Sequence, residues 1–438
     1  MPYPFIELIS PGATIPLVVP DMYAGNATKK AKGALSIAVP GELAGLHRAW
    51  RKYGRLPWKR LVRPAEQLAF KGFKISPYLH MQMVKTEPGI LADKGLRDLL
   101  TSNVGSKLVK DIQKAGGILT REDLRRYQVK MRDPIVADIL GFKILGMPPP
   151  SSGGASMMLS PSGISGPLGI HREIEALKHA FAVRMNLGDP DFINVTEVVS
   201  DMLSPKFAET LKKTIYDNMT FDPRYYGGRW NQIHDHGTSH VSIVDIERNA
   251  VSMTNTVNAY FGSNILSPST GILLNNEMDD FSIPMNNGNV PPPAPPNFIR
   301  PGKRPLSSMT PTIILKDEKL RAVVGASGGA MIIAGTTEVV LNHLRGMDPL
   351  HSVLAPRVYH QLIPNVVQYE NWTTPYGEHY EVPANVRTFL RRRGHVLQSL
   401  AGGSICQFIF VETSKKNKGR GELVGVSDPR KGGFPAGY

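Results

Sequence analysis

With 438 residues, 41% of them hydrophobic and 20% charged, the chain suits a large α/β body or two packed halves and is too apolar to be disordered. Its single cysteine, Cys406, excludes an intrachain disulfide and any cysteine-based zinc cluster, and no apolar run reaches the roughly 18–20 residues a membrane helix needs. The net charge of +14 favours acidic surfaces. However, the basic clusters Lys29-Lys30-Ala-Lys32, Arg391-Arg392-Arg393 and Lys415-Lys416-Asn-Lys418-Gly-Arg420 are short, separate and free of interleaved aromatics, which argues against nucleic acid as a partner.

The opening Met1-Pro-Tyr-Pro-Phe-Ile-Glu has neither a basic n-region nor an apolar h-region, so no signal peptide is expected. Four sequons, at Asn26, Asn194, Asn218 and Asn371, are glycosylation candidates that would suit a secreted protein. Residues 42–53 place Leu43, Leu46, Trp50 and Tyr53 on one helical face, expected to be core. A helix over 107–114 stops at Gly116-Gly117, and Thr120-Arg-Glu-Asp123 reads as a capping box opening the next. Residues 171–187 align Ile174, Leu177, Phe181 and Met185 and end at Gly188-Asp189-Pro190.

At Gly237 the pattern changes. Alternation over 240–246, a turn at Glu247-Arg-Asn249 and β-like text over 250–258 predict a hairpin beginning just after His236-Gly237-Thr238-Ser239. Residues 286–305 read as an ordered loop or lid. Further strands follow at 311–315 and 321–326; the latter runs into Ser327-Gly328-Gly329 and a helix over 331–344. The basic stretch at 414–421 reads as a solvated turn, and Cys406, inside Ile405-Cys406-Gln407-Phe408-Ile409-Phe410, as a buried small residue.

Two nucleophiles compete. Gly325-Ala-Ser327-Gly-Gly329 matches G-x-S-x-G between a strand and a helix, and Asp348 with His351, His360, His379 or His395 would complete a serine-hydrolase triad. Gly237-Thr238 at a hairpin head is the other. If the bond before it is cut, the threonine acquires an α-amine with a reference pKa of about 8 as its own base. Glycine before that bond admits torsions that a Cβ forbids.

Gly237-Thr-Ser-His-Val-Ser-Ile-Val-Asp245, Ser252-Met-Thr-Asn-Thr-Val-Asn258, Phe261-Gly262 and Gly271-Ile-Leu-Leu-Asn-Asn-Glu-Met-Asp-Asp-Phe-Ser282 resemble the γ-glutamyltranspeptidase (glutathione hydrolase) family. So do Arg304-Pro-Leu-Ser-Ser-Met-Thr-Pro311, Val324-Gly-Ala-Ser-Gly-Gly329, Asp428-Pro-Arg-Lys-Gly-Gly-Phe-Pro-Ala-Gly-Tyr438, Ala38-Val-Pro-Gly-Glu42 and Gly54-Arg-Leu-Pro-Trp58, in wording closest to plant members. The resemblance implies an α+β N-terminal-nucleophile hydrolase, an αββα sandwich built from two autoproteolytic fragments. These would be a large-subunit-like piece, 1–237, and a small-subunit-like catalytic piece, 238–438, associated as a heterodimer. It implies γ-glutamyl transfer from glutathione and its conjugates to water or to amino-acid or dipeptide acceptors, with no metal or organic cofactor, at the extracellular face of the plasma membrane or in the vacuole.

Carried over residue by residue, the resemblance makes Thr238 the nucleophile and Thr256 the residue that hydrogen-bonds and orients it. Gly328 and Gly329 become the oxyanion hole, Asn258, Glu277 and Asp280 the binders of the donor's α-ammonium, and Ser307 and Ser308 those of its α-carboxylate. Ser327 then neighbours the hole instead of attacking. The family's carboxylate-pairing arginine, upstream of Met22-Tyr23, has no counterpart: the chain has no arginine before Arg48, and residues 7–20 depart from the family text. Residues 94–106 and 151–169 are also shorter than the family pattern. The expectation is a chain truncated at its N-terminus with a weakened hold on the carboxylate. The alternatives are a serine hydrolase using Ser327 and an inactive or binding-only family member.

Overall fold

The computed structural model of the protein describes residues 5–6, 18–19, 22–23, 25–91, 104–159, 166–232, 237–284, 291–412 and 421–437. The expected turn at 414–421 lies outside them except for Gly421, as do residues 286–290 of the Pro/Asn/Gly-rich segment. Among the described residues no helix is long and apolar enough to cross a membrane.

Six antiparallel strands form the central sheet, in the spatial order Glu422–Ser427, Ile405–Glu412, Lys319–Ser327, Thr312–Lys316, Phe142–Gly146 and Ile135–Ile139. The last two precede Gly237 in the chain and the other four follow it. Every residue from Ala322 to Ser327 is buried, because this strand is covered on both faces. Val324 and Ala326 pack with Ile332, Val339 and Val340 of the helix Met331–Leu344. The opposite face carries the hairpin Ser239–Val244 and Ala250–Asn255. There the Ser252 hydroxyl donates to the Val324 carbonyl at 3.0 Å, and the Ser242 hydroxyl to the Gln407 carbonyl at 3.3 Å. Burial on both faces explains why this strand reads as a continuous apolar run while the hairpin alternates. The expected second sheet of the sandwich is, among the described residues, this hairpin alone, and its outer residues Val241, Ile243 and Val251 are exposed.

The helix Gly166–Arg184 buries the expected stripe of Ile174, Leu177 and Phe181. It packs partly against a separate four-stranded sheet that includes Val358–Tyr359 and Val367–Thr373. The capping box forms as expected: the Thr120 hydroxyl accepts from the Asp123 amide at 3.2 Å, and the Thr120 amide donates to the Asp123 carboxylate at 2.7 Å. Such a cap is worth about 1 kcal/mol. One expectation fails. The helix Glu42–Tyr53 turns Gly45 inward, so Leu43 and Tyr53 are exposed, and Trp50 makes tilted ring contacts with His47 and Trp58. The next helix, Trp58–Lys71, buries no residue at all, so neither helix presents its apolar face to the core.

Two buried polar clusters hold the frame. Asp428 accepts from Arg357 at 2.9 Å and pairs with Arg430 at 3.1 Å, and Arg430 grips Glu370 through two hydrogen bonds of 2.8 Å. Two guanidinium groups and two carboxylates, all buried, balance each other's charge, and removing one member would cost about 3–5 kcal/mol. The second cluster is not balanced. Burial pushes the Glu173 carboxyl up to about 7 from an ordinary 4.5, opposed by Arg345 at 3.8 Å, and Glu338 nearby is also raised by burial and by Glu173. The fold therefore favours a protonated Glu173. Its contribution to stability is present below pH 4.5 and is lost as pH rises through about 7. Glu173→Gln, which keeps the shape without the charge, raises the thermal midpoint at pH 8 and leaves it nearly unchanged at pH 4.5. Thermal melts at the two pH values check the difference.

Candidate active site

Gly237 and Thr238 sit where the hairpin meets the end of the strand Lys319–Ser327. Gly237 has φ 77°, and a Cβ built on it would lie 1.4 Å from the Asn258 carbonyl oxygen, so no other residue fits. Thr238 has φ 100°, a strained value for a β-branched residue, costing about 1–3 kcal/mol. The Gly237 carbonyl accepts a hydrogen bond from the Gly328 amide at 3.0 Å, and the Lys431 ammonium donates to the Thr238 carbonyl at 3.3 Å. Gly328 (φ 129°) and Gly329 (φ 59°) turn the chain from strand to helix, and a Cβ on Gly328 would stand 2.9 Å from the Gly403 carbonyl oxygen. The expected hole residue thus already donates to the carbonyl of the junction.

Thr238 lies one step beyond the Ser239–Asn255 pair, so the register places it opposite Thr256. The Thr256 hydroxyl accepts from the Asn258 amide at 2.8 Å and donates to the Asn258 carbonyl at 3.5 Å. Thr256 therefore fixes the loop that crowds Gly237. His240, two residues on, fills the space over Gly325 and bonds the Thr254 hydroxyl at 2.7 Å. Burial pushes it down to about 3, so it is a neutral spacer between hairpin and sheet.

Asn258 is buried at φ 71° and donates to the Asn276 carbonyl at 3.2 Å, beside the buried turn Glu277–Asp280. The Glu277 amide donates to Asn275, whose side chain is clamped to both backbone groups of Ala38 at 3.0 Å. Lys30 pairs with the Asp279 carboxylate at 3.1 Å and also donates to the Asp279 and Phe281 carbonyls, which makes Asp279 structural. Asn297 joins the Asp280 carbonyl (2.7 Å) to the Leu306 amide (2.9 Å), bringing the acidic turn against Ser307 and Ser308, both buried. The Ser308 hydroxyl accepts from Arg184 at 2.7 Å. Asn258 thus adjoins the Gly237–Thr238 junction, and a chain of hydrogen bonds through Asn276 and Asn297 connects it to the acidic turn and to the segment of Ser307 and Ser308.

Ser327 does not have the setting of a nucleophile elbow. It ends a central strand flanked by antiparallel neighbours, paired with Ile405. His351 does pair with Asp348, but both side chains are exposed whereas Ser327 is buried; His360 bonds the Leu362 amide, His379 Thr373 and His395 His171. Cys406 is fully buried, and burial pushes its thiol up to about 11, so it is inert at neutral pH. Asn26, Asn194 and Asn218 are exposed, whereas Asn371 is half-buried within the strand Val367–Thr373.

The pattern of the γ-glutamyltranspeptidase family matches residues 17–104 and 89–438. The chain belongs to that family. Glutathione hydrolase 2 of Arabidopsis thaliana is 60% identical over 466 residues, covering 95% of this chain and 81% of the relative. Glutathione hydrolase 3 of the same plant is 47% identical over 482 residues, covering 95% and 75%. Among solved structures, a cephalosporin acylase of Bacillus halodurans superposes with a TM-score of 0.73 at 21% identity, over 96% of this chain and 82% of that one, a likeness of fold. The fold is that of an N-terminal-nucleophile hydrolase.

Sequence reasoning missed Lys30, Arg184 and Gln232. The available signal for Arg184 was a cation three residues beyond Phe181, on the helical face that carries the buried stripe; Lys30 lay hidden in a run that reads as a solvated basic cluster. Because Lys30 is the counter-charge of a buried acid, Lys30→Met leaves Asp279 uncompensated. Chemical denaturation should register a loss of about 3 kcal/mol or more.

Proposed function

We propose that the protein is a glutathione hydrolase that matures by cutting its own Gly237–Thr238 bond and then uses Thr238 as nucleophile. The observation that carries this reading is the hydrogen bond from the Gly328 amide to the Gly237 carbonyl, across a junction whose two residues both have positive φ. In the uncut chain the Thr238 hydroxyl oxygen attacks the Gly237 carbonyl carbon, and the Gly328 N–H stabilises the charge that develops on the oxygen. The C–N bond breaks as the nitrogen takes a proton. Water then opens the resulting ester, leaving a Gly237 carboxylate, the hydroxyl and a free α-amine. One such donor is worth about 100- to 1000-fold in rate, and cleavage also relieves the strain at Thr238.

The same parts then serve turnover. The α-amine takes the Thr238 hydroxyl proton as the oxygen attacks the γ-glutamyl carbonyl, and returns it to the departing amine. The Gly328 and Gly329 amides form the hole. Asn258, Glu277 and Asp280 hold the donor's α-ammonium, and Ser307 and Ser308 its α-carboxylate. Water completes hydrolysis, and the amine of an amino acid or dipeptide completes transfer. The fragments 1–237 and 238–438 stay together as a heterodimer because the central sheet takes strands from each side of the junction. Three exposed sequons accord with an extracellular or vacuolar site of action.

Divided in proportion at residue 237 of 438, the 48.1 kDa chain gives fragments of about 26 and about 22 kDa, the smaller beginning Thr-Ser-His-Val. A denaturing gel with N-terminal sequencing checks both. Thr238→Ala abolishes cleavage and γ-glutamyl release together, while Ser327→Ala retains cleavage and measurable turnover. Full activity in an uncut chain would reject the mechanism, and loss of activity in a cleaved Ser327→Ala protein would hand the role to Ser327.

A further inference from the structure

Asn297 is completely buried and bridges two stretches of chain, one before it in sequence and one after. Its side-chain amide donates to the Asp280 carbonyl at 2.7 Å, and its side-chain carbonyl accepts from the Leu306 amide at 2.9 Å. Its backbone carbonyl accepts from the Ser282 amide at 3.1 Å, a second link to the chain that leaves the turn Glu277–Asp280. A carboxamide suits this place because one planar group carries both a donor and an acceptor. Aspartate would lose the donor, and glutamine would move both atoms one methylene further out. The backbone of Asn297 is itself held. Its amide donates to the Ala294 carbonyl at 3.1 Å, and the buried Lys303 ammonium donates to the carbonyls on either side, those of Pro296 and Phe298. Pro295 and Pro296 fix φ at the two preceding positions, so the bridge stands on a turn with little freedom.

We propose that Asn297 is a positioning residue that sets the separation between the groups holding the two charged ends of the donor's α-amino acid. Asp280 is itself one of the acids, and Leu306 directly precedes Ser307 and Ser308, so both arms of Asn297 end on the backbone of the site. In an α-amino acid the ammonium and the carboxylate share one carbon, and covalent bonds fix their spacing. A site gains from both ends at once only when its two sets of groups stand at that spacing. The inference rests on the reading that gives Glu277 and Asp280 to the α-ammonium and Ser307 and Ser308 to the α-carboxylate. Its consequence is that Asn297 contributes to donors that carry both charges and little to donors that carry one.

Steady-state kinetics of the cleaved protein on three anilides test this: γ-glutamyl, glutaryl, which lacks the α-ammonium, and 4-aminobutyryl, which lacks the α-carboxylate. A charge-assisted hydrogen bond of about 1.5–3 kcal/mol corresponds to about 10- to 150-fold in affinity. Asn297→Ala is expected to lower kcat/KM for the γ-glutamyl anilide by that factor, chiefly through KM. The glutaryl and 4-aminobutyryl anilides should change less than about 3-fold, because each engages one set of groups and is indifferent to the spacing. An equal fall for all three anilides, as a general loss of structure would give, overturns the proposal. So does an unchanged KM for the γ-glutamyl anilide. Should Asn297→Ala fail to fold or to mature, Asn297→Gln, which keeps the donor and the acceptor on a longer arm, carries the same comparison; an unselective loss or no loss there also overturns it. The two ideas separate cleanly. If the unmodified protein treats the three anilides alike, the assignment of the two charged ends fails. If it strongly prefers the γ-glutamyl anilide and Asn297→Ala weakens all three equally, only the role of Asn297 fails.

Discussion

The hydrogen bond between the Gly328 amide and the Gly237 carbonyl is the constraint on which the site depends. It requires the head of the hairpin to reach the end of a central strand, and it admits almost nothing but glycine at either end. A side chain at 237 would enter the Asn258 carbonyl, and one at 328 would press on Gly403. Around that contact the remaining conformations follow. Asn258 takes a positive φ to bring its carbonyl against Gly237, the Thr256 hydroxyl holds both backbone groups of Asn258, and Thr238 is left at a torsion that a β-branched residue avoids. A single short contact therefore polarises a carbonyl and stores strain in the residue attached to it.

Two sets of buried acids are paired with cations inside the fold. Asp279 with Lys30, and Asp428 with Arg357 and Arg430, are paired inside the fold and act as fasteners. The Lys30 pair fixes the acidic turn from the N-terminal side, and the Asp428 network anchors the last segment of the chain, which brings Lys431 to the Thr238 carbonyl. Burial pushes Lys431 down from the ordinary lysine range, so its ammonium is held less firmly than a surface lysine's. In the proposed mature enzyme, a cation there would disfavour protonation of the α-amine of Thr238.

Local features were legible because local rules decide them. The capping box at Thr120, the hairpin after Gly237 and the strand running into Gly328-Gly329 all depend on residues within one turn or one strand pair of each other. The long motifs carried the proposed assignment of Thr238 and of the donor-pocket residues; of these, Asn258 lies against Gly237, and Asn297 links the Asp280 carbonyl to the Leu306 amide. What was not legible depends on contacts far apart in sequence. The apolar stripe of residues 42–53 looks like core by period, yet which face of a helix turns inward is decided by what packs on it, and here Gly45 does. Arg184 reads as one more helix-terminal cation, because its partners lie 32, 48 and 124 residues away.

The same distance in sequence explains how a chain divided at Gly237 can remain one working unit. The strand Phe142–Gly146 pairs with Thr312–Lys316, Ser152 bonds the Ser307 carbonyl twice, and Arg184 bonds Ser308. Each of these contacts crosses the junction, and each carries the first segment into the pocket formed by the second. Ser307 and Ser308 belong to residues 238–438, yet the groups that orient them come from residues 1–237. Under the proposed maturation, cleavage would free a threonine amine without freeing a fragment. The pocket is complete only while the sheet is, so the stability of the sheet and the geometry of substrate binding draw on the same contacts.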